Sequence, residues 1–264
     1  MLLSHRQYSG DGEPLLILHG LFGSQANWGW HARHLAECFA VYGLDLRNHG
    51  ASPHDGQMSY PAMATDVSEW LDVQGMESCH LLGHSMGGKV AMQLAFAAPE
   101  RVGKLVVADI APVDYNVSTV KARHPALTAM LDIPVQELES RAEADEFLRD
   151  AIPEDRVREF LLTNLERLPQ GGYHWRLNLA AIEANLAALS SAPETSEPYG
   201  GPVLFLFGER SAYLQFDHQL EIRRLFPAAE IQLLPDAGHW LNVEQPQASL
   251  KAIEEFLAKG GQDA

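Results

Sequence analysis

Short apolar runs and stripes of helical period take turns along this chain. LLILH (15–19) ends at Gly20 and reads as a buried strand. Asn27 to Glu37 reads as a helix, with Asn27 as its cap. FAVYGLDL (39–46) is a second strand, and it runs into the polar turn RNHGAS. From Ser59 to Val73 the residues Met63, Val67, Trp70 and Leu71 share one helical face. CHLLG then reads as a strand, Met86 to Ala98 as a helix that stops before Pro99, and KLVVADI (104–110) as another strand. This alternation predicts right-handed crossovers and an α/β fold: a mostly parallel, doubly wound sheet with both faces covered.

The pattern changes near Val113. Up to Tyr199 no segment reads as a strand. Val157, Phe160, Leu161 and Leu165 fall on one helical face, with Pro153 suited to the first turn. Leu179, Ile182, Leu186 and Leu189 form another stripe, and SSAPETSEPYGGP reads as the loop leading back. Strands resume with VLFLFG (203–208) and EIQLL, separated by a helix over 215–225, and a helix from Gln247 to Lys259 closes the chain. The expected organisation is a core of residues 1–112 and 200–264, with 113–199 inserted as a helical cap. Leu127, Met130 and Leu131 either line a pocket or pack as core, and core packing is the preferred reading. Lys121, Arg123 and His124 make a small basic cluster, read as a solvated loop, with an anion grip as the alternative.

Composition narrows the field. The chain has 264 residues and no apolar run of membrane-spanning length, so no span is expected. Its start lacks a secretion signal, and a cytoplasmic protein is expected. The net charge of −16 opposes nucleic acid and anionic membranes at long range. Cys38 and Cys79 read as buried free thiols. Twelve histidines are scattered, and His31 and His34, on one helix face, lack a third ligand at useful spacing. They read as surface histidines, and no metal or cofactor is predicted. The sequence is compatible with a monomer or a dimer.

The chemistry gathers at LLGHSMGGKV (81–90). Ser85 lies where a strand ends and a helix begins, inside G-x-S-x-G. That setting is a nucleophile elbow, whose sharp turn needs neighbours without side chains. A serine hydroxyl needs a base. The candidate is His239, in LLPDAGHWLNVEQP, after the last strand. The usual position of the acid follows VLFLFG, but there the chain reads GERS, with Ser211 in the expected slot. Asp109, at the end of KLVVADI, is ranked first, because an acid in an apolar strand needs a partner. Glu209 and Asp114 are the other candidates, and Ser211 is read as an added hydrogen-bond donor. In LHGLFGS (18–24), the Leu21 backbone N–H pairs with that of Met86 as expected oxyanion donors, while Phe22 shapes the acyl pocket.

HGLFGS, DLRNHGAS, GHSMGGK, ADIAPVDY and AGHW occur in this order between residues 19 and 240. In this the chain resembles the α/β-hydrolase superfamily, and within it the YbfF-like bacterial esterases and their mitochondrial abhydrolase-domain relatives. The resemblance implies a Ser–Asp–His carboxylesterase or thioesterase with a helical cap, needing neither metal nor cofactor. It also implies the acid role for Asp109, on which the acid of the DIAPVDY motif falls. Those relatives often carry GGNS where this chain has GERS. The expected substrate is a small to medium acyl ester or thioester. The other readings are a carbon–carbon bond hydrolase or perhydrolase on the same scaffold, and a non-catalytic small-molecule receptor.

Overall fold

The computed structural model describes residues 1–8, 10–115 and 125–259. Seven strands form one sheet in the order β1-β3-β2-β4-β5-β8-β9. They are β1 (His5–Gln7), β2 (Pro14–Leu18), β3 (Ala40–Leu44), β4 (Cys79–His84), β5 (Val102–Ala108), β8 (Val203–Gly208) and β9 (Ala229–Leu234). Only β1 pairs antiparallel, at the edge against β3.

Period-2 alternation divides the apolar residues between the two faces. Leu16, Leu18, Leu81, Leu105, Val107, Phe205 and Phe207 pack on one side. The helices α2 (Tyr60–Gln74) and α3 (Met86–Ala97) cover that side. Leu15, Ile17, Leu82, Val106, Leu204 and Leu206 pack on the other, against α1 (Gly29–Leu35) and the C-terminal helix at Pro246–Ala258. Met63, Val67, Trp70 and Leu71 of α2 are all fully buried, and Ser59 caps that helix by accepting from the Ala62 N–H.

Register sets up the site. His84 on β4 is paired with Ala108 on β5. The next residues along these two strands are Ser85 and Asp109, which therefore leave the carboxyl edge side by side. Ligand and catalytic groups of open parallel sheets gather at that edge.

Between β5 and β8 the chain forms α4 (Pro125–Asp132), α5 (Arg141–Arg149), α6 (Asp155–Leu162), α7 (Leu179–Ala184) and α8 (Leu186–Ser190). It also forms a two-stranded hairpin, β6 (Leu165–Arg167) with β7 (Tyr173–Trp175), which corrects the all-helical expectation for this region. Strands of three residues are too short to leave an alternation signal. Their turn is set by Gly171 and Gly172, at φ +97° and +72°. Leu165 accordingly lies in a strand and not on the helical face assigned to it. The stripe from Leu179 to Leu189 is two helices, broken at Asn185, whose side chain reaches the Met58 N–H and the Gly56 carbonyl. Leu127 and Met130 are core, whereas Leu131 is exposed. Lys121, Arg123 and His124 lie outside the described residues. After β8 come α9 (Phe216–Leu225), α10 (Leu241–Glu244) and α11 (Pro246–Ala258).

Three local expectations are corrected. Asn27 does not cap a helix: Ser24 does, ahead of a 3-10 turn, and the Asn27 side chain accepts the Ser24 N–H at 2.6 Å. His31 is buried, with Nε2 2.9 Å from Ser249 Oγ, because α11 packs over α1. Cys38 is an exposed free thiol, while Cys79 is buried and pushed up to about 12 by burial. Among the described residues no helix is long and apolar enough to cross a membrane.

Candidate active site

Ser85 sits at φ +52°, a region that costs energy for any residue with a Cβ. Its surroundings hold it there. The Ser85 N–H donates to the Ala108 carbonyl at 2.9 Å, and its own carbonyl accepts from Gly88 and Lys89. The flanking glycines are required by contact. A Cβ on Gly83 would stand 2.3 Å from the Gly87 carbonyl oxygen, and one on Gly87 would stand 2.4 Å from that of Leu18. The turn thus packs against the end of β2, beside the loop carrying Leu21.

Asp109 follows β5 at φ +53° and is fully buried. Its carboxylate accepts from His239 Nδ1 at 2.7 Å, from the Gly208 N–H at 3.0 Å and from the Ser211 hydroxyl. Three donors compensate the burial of one charge. A carboxylate only accepts, so His239 carries a proton on Nδ1, and Nε2 is the ring nitrogen left for another partner. Glu209 and Asp114 make no such contact. Glu209 is exposed and accepts from the Asp236 N–H, and Asp114 is exposed and accepts from the Ala192 N–H. The charges of GERS stay on the surface, where Arg210 pairs with Asp236 and Glu244.

The His239 ring is stacked on Tyr213, with centroids 4.2 Å apart, and lies 4.8 Å from the His84 ring. His84 Nε2 donates to the His239 carbonyl at 2.9 Å. Burial first, and the neighbouring His239 second, pull the pKa of His84 down to about 3, so it is neutral.

The loop after β2 supplies donors. Leu21 N–H and Met86 N–H have no partner among the described residues. The Met86 amide is an orphan because it opens α3, where the helix dipole adds positive potential. The Phe22 N–H is occupied: it donates to His49 Nε2 at 3.2 Å. Phe22 stands at φ +61°, and its carbonyl accepts from Asn164 at 2.8 Å. His49 and His19 act as paired clamps behind this loop. His49 Nδ1 donates to the Arg47 carbonyl, His19 Nδ1 donates to the Gly20 carbonyl, and His19 Nε2 accepts from Leu46. Burial holds both neutral, with pKa values near 3 and 4. From sequence alone RNHGAS reads as a polar turn. The signal it missed is that a histidine one residue past Asn48 folds back beneath the glycine loop.

Ser85 and His239 open into a cavity of about 760 Å³. Its walls are mainly apolar and come from both parts of the chain: Leu21, Phe22, Trp28, Met86 and Trp240 from around the sheet, Val157, Phe160, Leu186 and Leu189 from between β5 and β8. Lys89 also lines it. Its ammonium is buried, and burial pulls its pKa down to about 7, against the opposing pull of Asp114.

The geometry is that of a serine hydrolase of the α/β-hydrolase class. The sequence signature of the alpha/beta hydrolase family matches residues 15–252, and the chain belongs to that family. It is 42% identical to the mouse protein named sn-1-specific diacylglycerol lipase ABHD11, over 97% of this chain and 85% of that one. It is 35% identical to Esterase YbfF of Escherichia coli K12, over 95% of both. Among solved structures, one described as a marine microorganism esterase superposes with a TM-score of 0.94 at 41% identity, over 97% of this chain and 99% of the other.

Proposed function

We propose that this chain hydrolyses small to medium acyl esters, and acyl thioesters, through an acyl-enzyme on Ser85, with His239 as base and Asp109 as acid. It is a carboxylic ester hydrolase, as its esterase relatives are. The observation that carries this reading is the hydrogen bond from His239 Nδ1 to a fully buried Asp109, in a histidine that lines the same cavity as Ser85.

His239 Nε2 takes the Ser85 proton as Oγ attacks the acyl carbon. Negative charge develops on the carbonyl oxygen, where the Leu21 and Met86 amides receive it. Phe22 fills the role of a pocket wall. The imidazolium, stabilised by Asp109, then protonates the leaving alcohol or thiol. Water repeats the cycle on the acyl-enzyme. The inserted segment 113–199 acts as a cap, since Val157, Phe160, Leu186 and Leu189 complete the cavity wall. Two unpaired thiols fit a reducing compartment, and we place the enzyme in the cytoplasm.

The test is turnover of p-nitrophenyl esters of rising acyl length by wild type and Ser85→Ala. We expect a chain-length optimum in the wild type and, in the variant, a fall in kcat on the order of 10⁶. Undiminished hydrolysis by Ser85→Ala would remove the serine from the mechanism.

A further inference from the structure

One residue of GHSMGGK has no role in the chemistry above. Lys89 lies four residues after Ser85, one helical turn along α3, so it faces the same edge of the sheet. It is 1% exposed. A buried ammonium needs partners for all three protons. Lys89 finds them in backbone carbonyls: Val113 at 2.9 Å, Ser190 at 3.3 Å, and Ser191. Val113 is where the inserted segment leaves β5. Ser190 and Ser191 are where it returns. A single cation on α3 therefore holds both ends of the insertion.

The neighbouring contacts tighten the same junction. The ammonium sits over the Tyr115 ring at 4.8 Å and the Tyr60 ring at 5.4 Å. Tyr115 N–H donates to the Ser190 carbonyl at 2.9 Å, joining the two ends directly. The Tyr60 hydroxyl donates to the Leu189 carbonyl. Leu186 and Leu189, on the outgoing end, are cavity walls. Whatever fixes that end fixes the walls.

We propose that Lys89 is a positioning residue that staples both ends of the inserted segment to the nucleophile helix and thereby sets the size of the acyl cavity. It lines the cavity and holds the cap, but plays no part in the proposed proton transfers. The proposal rests on the ester-hydrolase reading for its link to acyl length, but not for the staple itself.

Two measurements on the full chain test it. Hydrogen–deuterium exchange reads the staple without any activity. In Lys89→Met the amides of Tyr115, Leu189 and Ser191 should exchange about tenfold faster, while those of β4 and β5 keep their protection. Steady-state kinetics reads the cavity. The ratio of KM for p-nitrophenyl octanoate to KM for the acetate should rise about tenfold, a change that loss of stability alone would not produce. Lys89→Arg keeps the cation and should shift both readouts by about threefold. If Lys89→Met does not fold, the Arg variant carries the test. Unaltered exchange at the three amides in a folded variant overturns the staple. Altered exchange with a wild-type KM ratio overturns the link to acyl size. A wild type that turns over no ester breaks the functional reading and leaves the exchange result standing.

Discussion

The carboxyl edge of the sheet and the segment inserted between β5 and β8 build one cavity by opposite means. At the edge, position is enforced by backbone. Ser85, Asp109 and Phe22 all sit at positive φ, and each is held by hydrogen bonds across adjacent elements. In the insertion, position comes from apolar packing of short helices, tied back at a few points such as Asn164, Asn185 and the carbonyls on Lys89. The difference teaches where each kind of change should act. Perturbing the edge should destroy chemistry or the fold. Perturbing the insertion should alter stability and substrate range by degrees.

Acid should break the comparison most sharply. His19, His31, His49 and His84 are all in the core region, held neutral by burial with pKa values near 4, 4, 3 and 3. The unfolded chain takes up these protons near pH 6.5, so the folded state is fully favoured above that pH and loses ground below it. At pH 5 each histidine costs roughly 2 kcal/mol, or about 8 kcal/mol together, as large as the whole stability of many domains. Thermal melts should show Tm collapsing between pH 7 and 5. A flat profile would mean that the histidines are charged in the folded protein.

Next in size is the choice of acid. Asp109→Asn should lower kcat on the order of 10⁴, by analogy with other serine triads, with Tm little changed. Glu209→Gln should lower it less than about twofold, because its side chain is on the surface. Comparable losses in both would move the acid. Gly83→Ala comes third. Its Cβ meets the Gly87 carbonyl and neither backbone can yield, so urea titration should show a loss of at least about 3 kcal/mol, or no folded protein. The insertion supplies the smallest effects. Leu127→Ala should cost about 3 kcal/mol, and Leu131→Ala, at an exposed position, within about 0.5 kcal/mol. Equal costs would show that both leucines are packed.

The same contrast decides what the sequence discloses. Strands β2, β3, β4, β5 and β8 are legible because each is a largely buried run bounded by turn residues, whereas β9, mostly exposed, is legible from its apolar β-forming residues. Ser85 is legible because the elbow demands Gly83 and Gly87 at fixed spacing. Asp109 is legible because a carboxylate ending an apolar strand has to be paired, and the structure pairs it with His239. The insertion is less so. Its hairpin strands have three residues each, and Asn185 interrupts a stripe that reads as continuous. His49, Tyr213 and Lys89 leave no local trace, since their partners lie 26 or more residue positions away or are backbone carbonyls. His31 and Cys38 differ from expectation for one reason: period and apolar neighbours describe an element, but only tertiary packing says what covers it.

Placing the carboxylate on β5 has a consequence for how this scaffold can diversify. Among the described residues, the end of β8 and its loop hydrogen-bond to Asp109 through the Gly208 amide and the Ser211 hydroxyl. Glu209, Arg210 and Ala212, in the same loop, stand outside the cavity wall, whereas Tyr213 lines it and stacks on His239. With the acid proposed on Asp109, substitutions at those three positions leave intact the hydrogen bonds that hold the carboxylate and His239 together, so tolerance to surface change and preservation of the proposed chemistry fall on separate positions of one loop.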